Sequence, residues 1–345
     1  MRPDPLMRRV HASILAAACA LSLSVRAQER PEAVPENPYQ RPPDDVAHTN
    51  RALPGSATLL APPPPPPGGA RAYAGVPEAD IVRALRTAPI LSMRNVGNTS
   101  VNLRCDLEGP IDGAFKPSES RHLQHFRGEV GAFRVAQLLG VERVPPAVFR
   151  RVPRAELPGG ADLSRVRFRD GQSSGAMIYW VPVLRPANIF AGATLDRWTR
   201  LLTQGEEIPE GERPRAEDVS TVITFDFLIG NWDRWHGTNT LQDGNGRLVF
   251  RDNNGAFYEP LTGWRYDTIL SWFQRVQKFS RSLIDHARAL TLESLRASIA
   301  DDADGDVPLL TDAQLRGVLR RRDTVVQYVD ALVQIHGERE VYAFP

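Results

Sequence analysis

The chain has 345 residues, 42% apolar and 24% charged, which suffices for one large domain or two moderate lobes. Its formal net charge of +1 gives no basis for a nucleic-acid binder or a basic membrane patch. Among 42 Lys and Arg residues only Lys116 and Lys278 are lysine. The bias is one of composition, yet it singles out the lysine kept in Gly113-Ala114-Phe115-Lys116-Pro117, because Arg is no substitute where a compact charge must reach phosphate oxygens.

The N-terminus reads as a signal peptide, residues 1–27. Arg8 and Arg9 precede an apolar run from Val10 to Val25, then the small-residue pattern Val25-Arg26-Ala27, so cleavage is expected after Ala27 and export to the periplasm or exterior follows. The run is short and alanine-rich for a retained membrane span, and no integral membrane domain is expected after cleavage. Cys19 lacks the large aliphatic residue expected before a lipoprotein cysteine. Its removal would leave Cys105 as the only cysteine, with no intramolecular disulfide available. Residues 28–75 are rich in Pro, Arg and Glu, with six prolines in a row at Pro62 to Pro67, and read as an extended linker.

An ordered domain is expected over residues 76–345, divided near 183/184. Pro77-Glu78-Ala79-Asp80 opens a short helix with Ile81, Val82 and Leu85 on one side. Strand patterns follow over Leu91–Val96, Ser100–Asp106 and Gly113–Lys116. A helix is predicted from Ser118 to Leu139, then extended segments at Val144–Arg151 and Ala176–Val183. Beyond Leu184 the pattern is mainly helical, over Val219–Ile229, Tyr266–Leu290, Leu292–Ile299 and Asp312–Ile335. This order gives an α+β fold class, with a strand-rich lobe carrying one main helix, a mainly helical lobe, and a cleft between them.

One non-helical interruption of the second lobe holds the chemistry. Leu241 to Phe250 reads as a tight hairpin with Asp243-Gly244-Asn245-Gly246 at its turn. It should bring Asp233 at its entrance and Asp252 at its exit to one end. Paired carboxylates suit phosphoryl transfer, one positioning the attacking hydroxyl and the other holding a divalent metal on nucleotide phosphates. Either segment alone reads better as turn residues with surface aspartates; the two together, flanking one hairpin, do not. Upstream, strand Lys116 followed by Glu129 in the next helix is the arrangement that neutralises phosphates and holds the lysine in place.

These residues resemble the atypical secretory-pathway kinases of the Golgi casein kinase group. Phe115-Lys116-Pro117, then Gly128-Glu129-Val130-Gly131-Ala132-Phe133 and Arg143-Val144-Pro145-Pro146, form one block; Phe227-Leu228-Ile229-Gly230-Asn231 with Asp233, Arg234 and His236, then Asp252-Asn253, form the other. The resemblance implies a two-lobed atypical protein-kinase-like fold. It also implies ATP as cofactor, with Lys116 on its phosphates and Glu129 as ion-pair partner. Asp233 would then be the catalytic base and Asp252 the Mn²⁺ or Mg²⁺ ligand. The implied acceptor is a Ser/Thr hydroxyl of a protein, or a glycan. Asn239 would ligate a second metal or simply begin a strand.

There are departures from the pattern. Asp252-Asn253-Asn254-Gly255 stands where the family usually has Asp-Asn-Gly, and Gln124–Gly128 lacks the second acidic residue of the family's protein kinases, Glu119 being the nearest candidate. A catalytically silent nucleotide or partner binder, and a lipid or sugar kinase, therefore remain alternatives. His122 and His125 read as a solvated helix face, Asp301–Asp306 as a loop, and Trp232 and Trp235 as packing or an acceptor wall. Met177–Val181 is an inter-lobe hinge by position.

Overall fold

The computed structural model describes residues 71–345, except 98–99, 121–124, 160–162, 188, 190–191 and 235–238. The expected signal peptide, residues 28–70 of the expected linker, His122, Trp235, His236 and the His125 side chain lie outside the described residues. A two-stranded ribbon, β1 (Ala72–Tyr73) and β2 (Val76–Pro77), leads into helix α1 (Glu78–Thr87). Strands β3 (Ile90–Asn95), β4 (Leu103–Leu107), β5 (Gly113–Pro117), β6 (Ala147–Pro153) and β7 (Gln172–Tyr179) form one antiparallel sheet in the order β3-β4-β5-β7-β6. Every residue of β5 is buried, as expected of a central strand covered on both faces. Phe115, Leu103, Cys105, Val148 and Met177 build the core with Ile81 and Leu85 of α1. Across the strand pair, Lys116 stands opposite Ala176, so its backbone is fixed by the sheet.

Helix α2 (His125–Leu138) follows β5. The helix expected from Ser118 does not start there: Glu119 forms a β-bridge with Val166, and its carboxylate accepts the Val101 N–H at 2.8 Å. A residue bound into the sheet margin cannot begin a helix. The segments expected at Val144–Arg151 and Ala176–Val183 are shifted to β6 and β7. Pro145 and Pro146 lack the N–H that a ladder needs, and β7 is drawn earlier by pairing with β6.

The second lobe is helical: α3 (Gly192–Leu201), α4 (Arg213–Ile229), α5 (Trp264–Phe273), α6 (Arg281–Ala289), α7 (Leu292–Ile299), α8 (Asp312–His336) and α9 (Glu338–Val341). Helix α4 is buried nearly all round over Val219–Ile229 and ends at Gly230, delivering the chain to Asn231. From α8, Arg321 donates to the Leu228 carbonyl at 3.0 Å and so holds that end. The hairpin is present as β9 (Leu241–Gln242) paired with β10 (Leu248–Val249), with β8 (Arg185–Pro186) on the other side of β9. Arg247 clips it to α4 through two bonds to buried Asp218, at 2.8 and 2.7 Å.

The single helix expected over Tyr266–Leu290 is broken at Gln274–Ser280. There Gln277 N–H bonds to Leu202 and Phe279 N–H to Val341, and Ser280 caps α6 by accepting from Leu283 N–H. Tertiary pairing overrides local helical periodicity. The acidic run expected as a loop begins in a 3-10 turn, Ala300–Asp302, and continues as a loop to Asp306, and it has a clear role. Asp302 is fully buried and accepts from Arg86 at 3.0 Å, Arg134 at 2.7 Å and Phe149 N–H at 3.0 Å. The helical lobe is thereby tied to α1, α2 and β6.

Candidate active site

Lys116 leaves the central strand into a space closed by α2. Its Nζ meets Glu129 Oε1 at 2.6 Å and Asp252 Oδ1 at 3.1 Å. Burial pushes the lysine pKa down, but Glu129 and Asp252 together outweigh it and hold the ammonium charged well beyond its usual range. Reciprocally, Lys116 pulls the Asp252 carboxyl below the ordinary carboxylate range against the opposing effect of burial, with help from Arg251. Asp252 sits at φ 60°, a left-handed backbone that costs a non-glycine residue about 1 kcal/mol or more and is typical of functional loops.

The second Glu129 oxygen accepts the Asn253 backbone N–H at 3.1 Å. Helix α2 reaches this loop because residue 128 is glycine: a Cβ there would stand 2.4 Å from the Asn253 carbonyl oxygen. Any side chain would push Glu129 away from its partners.

Arg234, 1% exposed, organises the other half. It takes Asp226 of α4 bidentately at 2.9 and 3.1 Å, Asn253 Oδ1 at 2.7 Å, and the Arg251 carbonyl. The two sequence segments are thus one hydrogen-bonded unit. Asp226 was not singled out in the sequence, although a carboxylate inside Ile223-Thr224-Phe225-Asp226-Phe227-Leu228-Ile229 is itself a signal of a paired buried charge.

Asp233 is half-buried, and its N–H bonds to Asn231 Oδ1 at 3.3 Å. Asn239 donates through Nδ2 to the Asp233 carbonyl at 3.0 Å, so its observed contact is with the loop that carries the aspartate. Gly255 presses against the same residue; a Cβ at Gly255 would lie 2.7 Å from the Asp233 Cβ. The hairpin therefore does return Asp252 and its loop to the neighbourhood of Asp233. Trp232 packs edge-on against Trp264 at 5.2 Å, and Arg265 lies 4.6 Å over its ring.

Lys116, Glu129, Asp252 and Asn253 face a cleft of about 590 Å³, its open mouth included. Ala114, Pro145, Tyr179, Trp180 and Leu184 form apolar walls, and Arg251 stands beside Asp252. Tyr179 to Val181, part of the hinge expected by position, line it. Apolar walls ending in charged groups suit a planar base joined to a polyphosphate.

The donor set also fits a divalent ion. Asp252 spends Oδ1 on Lys116, while Oδ2 takes no hydrogen bond from a described residue. Among the described residues no three His, Cys, Asp or Glu side chains gather into a ready-made cage. Such an ion would draw most of its oxygen shell from phosphates and water, the usual way of Mg²⁺ at nucleotide sites.

No family model matches the chain. Over 142 residues it is 28% identical to Pseudokinase FAM20A of Mus musculus, covering 39% of this chain and 26% of that protein. Over 180 residues it is 27% identical to the Glycosaminoglycan xylosylkinase of Danio rerio, covering 47% of this chain and 43% of that protein. The chain thus matches less than half the length of these curated relatives. Among solved structures, that of the Golgi casein kinase superposes with TM-score 0.59 at 15% identity, covering 76% of this chain and 78% of that one. A hydra Fam20 structure with sugar gives 0.58 at 20% identity, covering 76% and 91%. The solved structures that superpose are of the Golgi casein kinase and of a hydra Fam20, and the fold of this chain is their atypical kinase fold.

Proposed function

We propose that the protein is a phosphotransferase that moves the γ-phosphate of ATP to a hydroxyl of a protein or glycan acceptor, using Mn²⁺ or Mg²⁺. The observation that carries this reading is Lys116 held between Glu129 and Asp252, 2.6 and 3.1 Å away, in an apolar-walled cleft. Lys116 contacts nucleotide phosphates, and Glu129 fixes it by pairing on one side and holding Asn253 on the other. Asp252 would hold the metal, which would neutralise charge on the phosphate oxygens. Asp233 accepts the proton of the acceptor hydroxyl as its oxygen attacks the γ-phosphorus, and ADP departs as the leaving group. Asn231, Asn239 and Gly255 set where that carboxylate stands.

The names of the relatives support both acceptor kinds, one being a glycosaminoglycan xylosylkinase and another a casein kinase. A Golgi casein kinase structure with Mn and ADP bound, TM-score 0.58 at 16% identity, supports the cofactors. A second reading, a nucleotide binder without turnover, is favoured by the relatives named Pseudokinase FAM20A and by the absence of an acidic residue in Gln124–Gly128. The N-terminal pattern around Arg8, Arg9 and Ala27 supports an exported protein, and no helix among the described residues is long and apolar enough to cross a membrane. The test is phosphate transfer by the full chain with ATP and Mn²⁺ or Mg²⁺, offered a dephosphorylated protein and a xylose-containing glycan. Metal-dependent transfer to either supports the kinase. Nucleotide binding without transfer to any acceptor supports the second reading.

A further inference from the structure

Arg251 occupies the nucleotide-facing wall next to Asp252, and its role does not follow from the lysine, the helix glutamate or the two aspartates. Its guanidinium makes no hydrogen bond or ion pair with any described residue. Other arginines of the same region are engaged: Arg234 on Asp226, Arg247 on Asp218, and Arg143 also near Asp218 at 3.7 Å. The Arg251 backbone is held, because its carbonyl accepts from Arg234. A half-buried guanidinium on a fixed backbone, in a cleft beside Asp252 but in no hydrogen bond or close ion pair with it, is free to meet an anion.

The charge balance of the cleft gives the contact its purpose. Lys116 is shared by two carboxylates, so these three groups together carry a net negative charge, which repels a polyphosphate. Arg251 restores neutrality at the place where phosphates must lie. We propose that Arg251 is a second phosphate-contacting cation that works with Lys116, so that part of the nucleotide's polyphosphate affinity is independent of metal. This rests on reading the cleft as a nucleotide site, and assigns Arg251 to the phosphates rather than the base.

The test is calorimetric binding of ADP and of adenosine to the full chain, in EDTA and with Mn²⁺, for wild type, Arg251→Met and Arg251→Lys. Wild type is expected to bind ADP in EDTA. Arg251→Met should weaken that binding about tenfold or more, the scale of a lost charge-assisted contact. Adenosine affinity should not change, Arg251→Lys should recover part of the ADP affinity, and the deficit should shrink with Mn²⁺. ADP binding in EDTA by Arg251→Met equal to wild type overturns the proposal while leaving the nucleotide site standing. Equal loss of adenosine, or wild-type binding only with Mn²⁺, overturns it too. Failure of wild type to bind ADP under either condition removes the nucleotide reading itself, and this inference with it.

Discussion

Glu129 joins the lysine strand to the loop that carries Asp252: one oxygen takes Lys116 Nζ at 2.6 Å and the other takes the Asn253 N–H at 3.1 Å. Both bonds are buried, so the helix residue sets the distance between two parts of the site that lie far apart in sequence. Glu129→Ala leaves the Lys116 charge short of a partner and frees the loop. Breaking a buried pair on one side costs about 3–5 kcal/mol. Chemical denaturation should show a loss of that order, and ADP affinity should fall with it. A variant as stable as wild type would mean that the pair contributes nothing net.

Gly255→Ala tests the close approach at the other aspartate. The new methyl would meet the Asp233 Cβ at 2.7 Å, so one of the two backbones must move. Phosphate transfer should fall by at least about tenfold, as expected when a catalytic group is misplaced by around 1 Å. ADP binding through Lys116 should hardly change. Transfer at the wild-type rate would show that the loop yields without moving Asp233.

Asp302 is a further buried charge that holds the fold together. It ties Arg134 of α2, Arg86 of α1 and the Phe149 N–H to the helical lobe. Asp302→Ala should destabilise the protein by about 3–5 kcal/mol, because two arginines and an amide lose their acceptor at once. Asp302→Asn keeps an acceptor and should lose less. Asp302→Asn as stable as wild type would remove the charge from the explanation.

The Asp252 carboxyl is held below the ordinary range chiefly by Lys116. Its contribution to stability is therefore fully present above the unfolded carboxylate pKa, about 3.9, and is lost as pH falls through the lower folded value. Lys116, shifted the other way, contributes fully below about 10.4 and loses that contribution as pH rises through its raised folded value. Urea unfolding followed from pH 6 down to 2.5 should show an acid-linked loss that Asp252→Asn reduces. An identical acid profile in the variant would uncouple Asp252 from folding.

Much of this architecture is legible in the residues. Lys116, Glu129, Asp233 and Asp252 stand out because a strand lysine, a helix carboxylate and a hairpin flanked by aspartates are local patterns with a chemical reason. The structure joins the first two to the last directly, and brings Asp233 against Gly255. The partners of Arg234 and Asp302 are far less legible: Asp226 and Asn253 meet Arg234, and Arg86 and Arg134 meet Asp302, through long-range folding that no periodicity encodes. For the same reason the expected Tyr266–Leu290 helix breaks at Gln274–Ser280, where bonds to Leu202 and Val341 replace helical ones. Arg251 gave no sequence signal in a chain with so many arginines; that its guanidinium makes no hydrogen bond to a described residue is visible only in the fold.

On the proposed reading, Asp233 acts on the acceptor and not on the nucleotide. Asp233→Asn nearly preserves volume and hydrogen bonding in the loop, but removes a carboxylate able to take the hydroxyl proton. The decisive measurement is phosphate transfer and ADP–Mn²⁺ affinity side by side, for wild type and Asp233→Asn. Transfer should fall by about 10²–10⁴ while nucleotide affinity stays within about twofold. Equal, robust transfer by both proteins, or loss of nucleotide binding in the variant, would contradict the account.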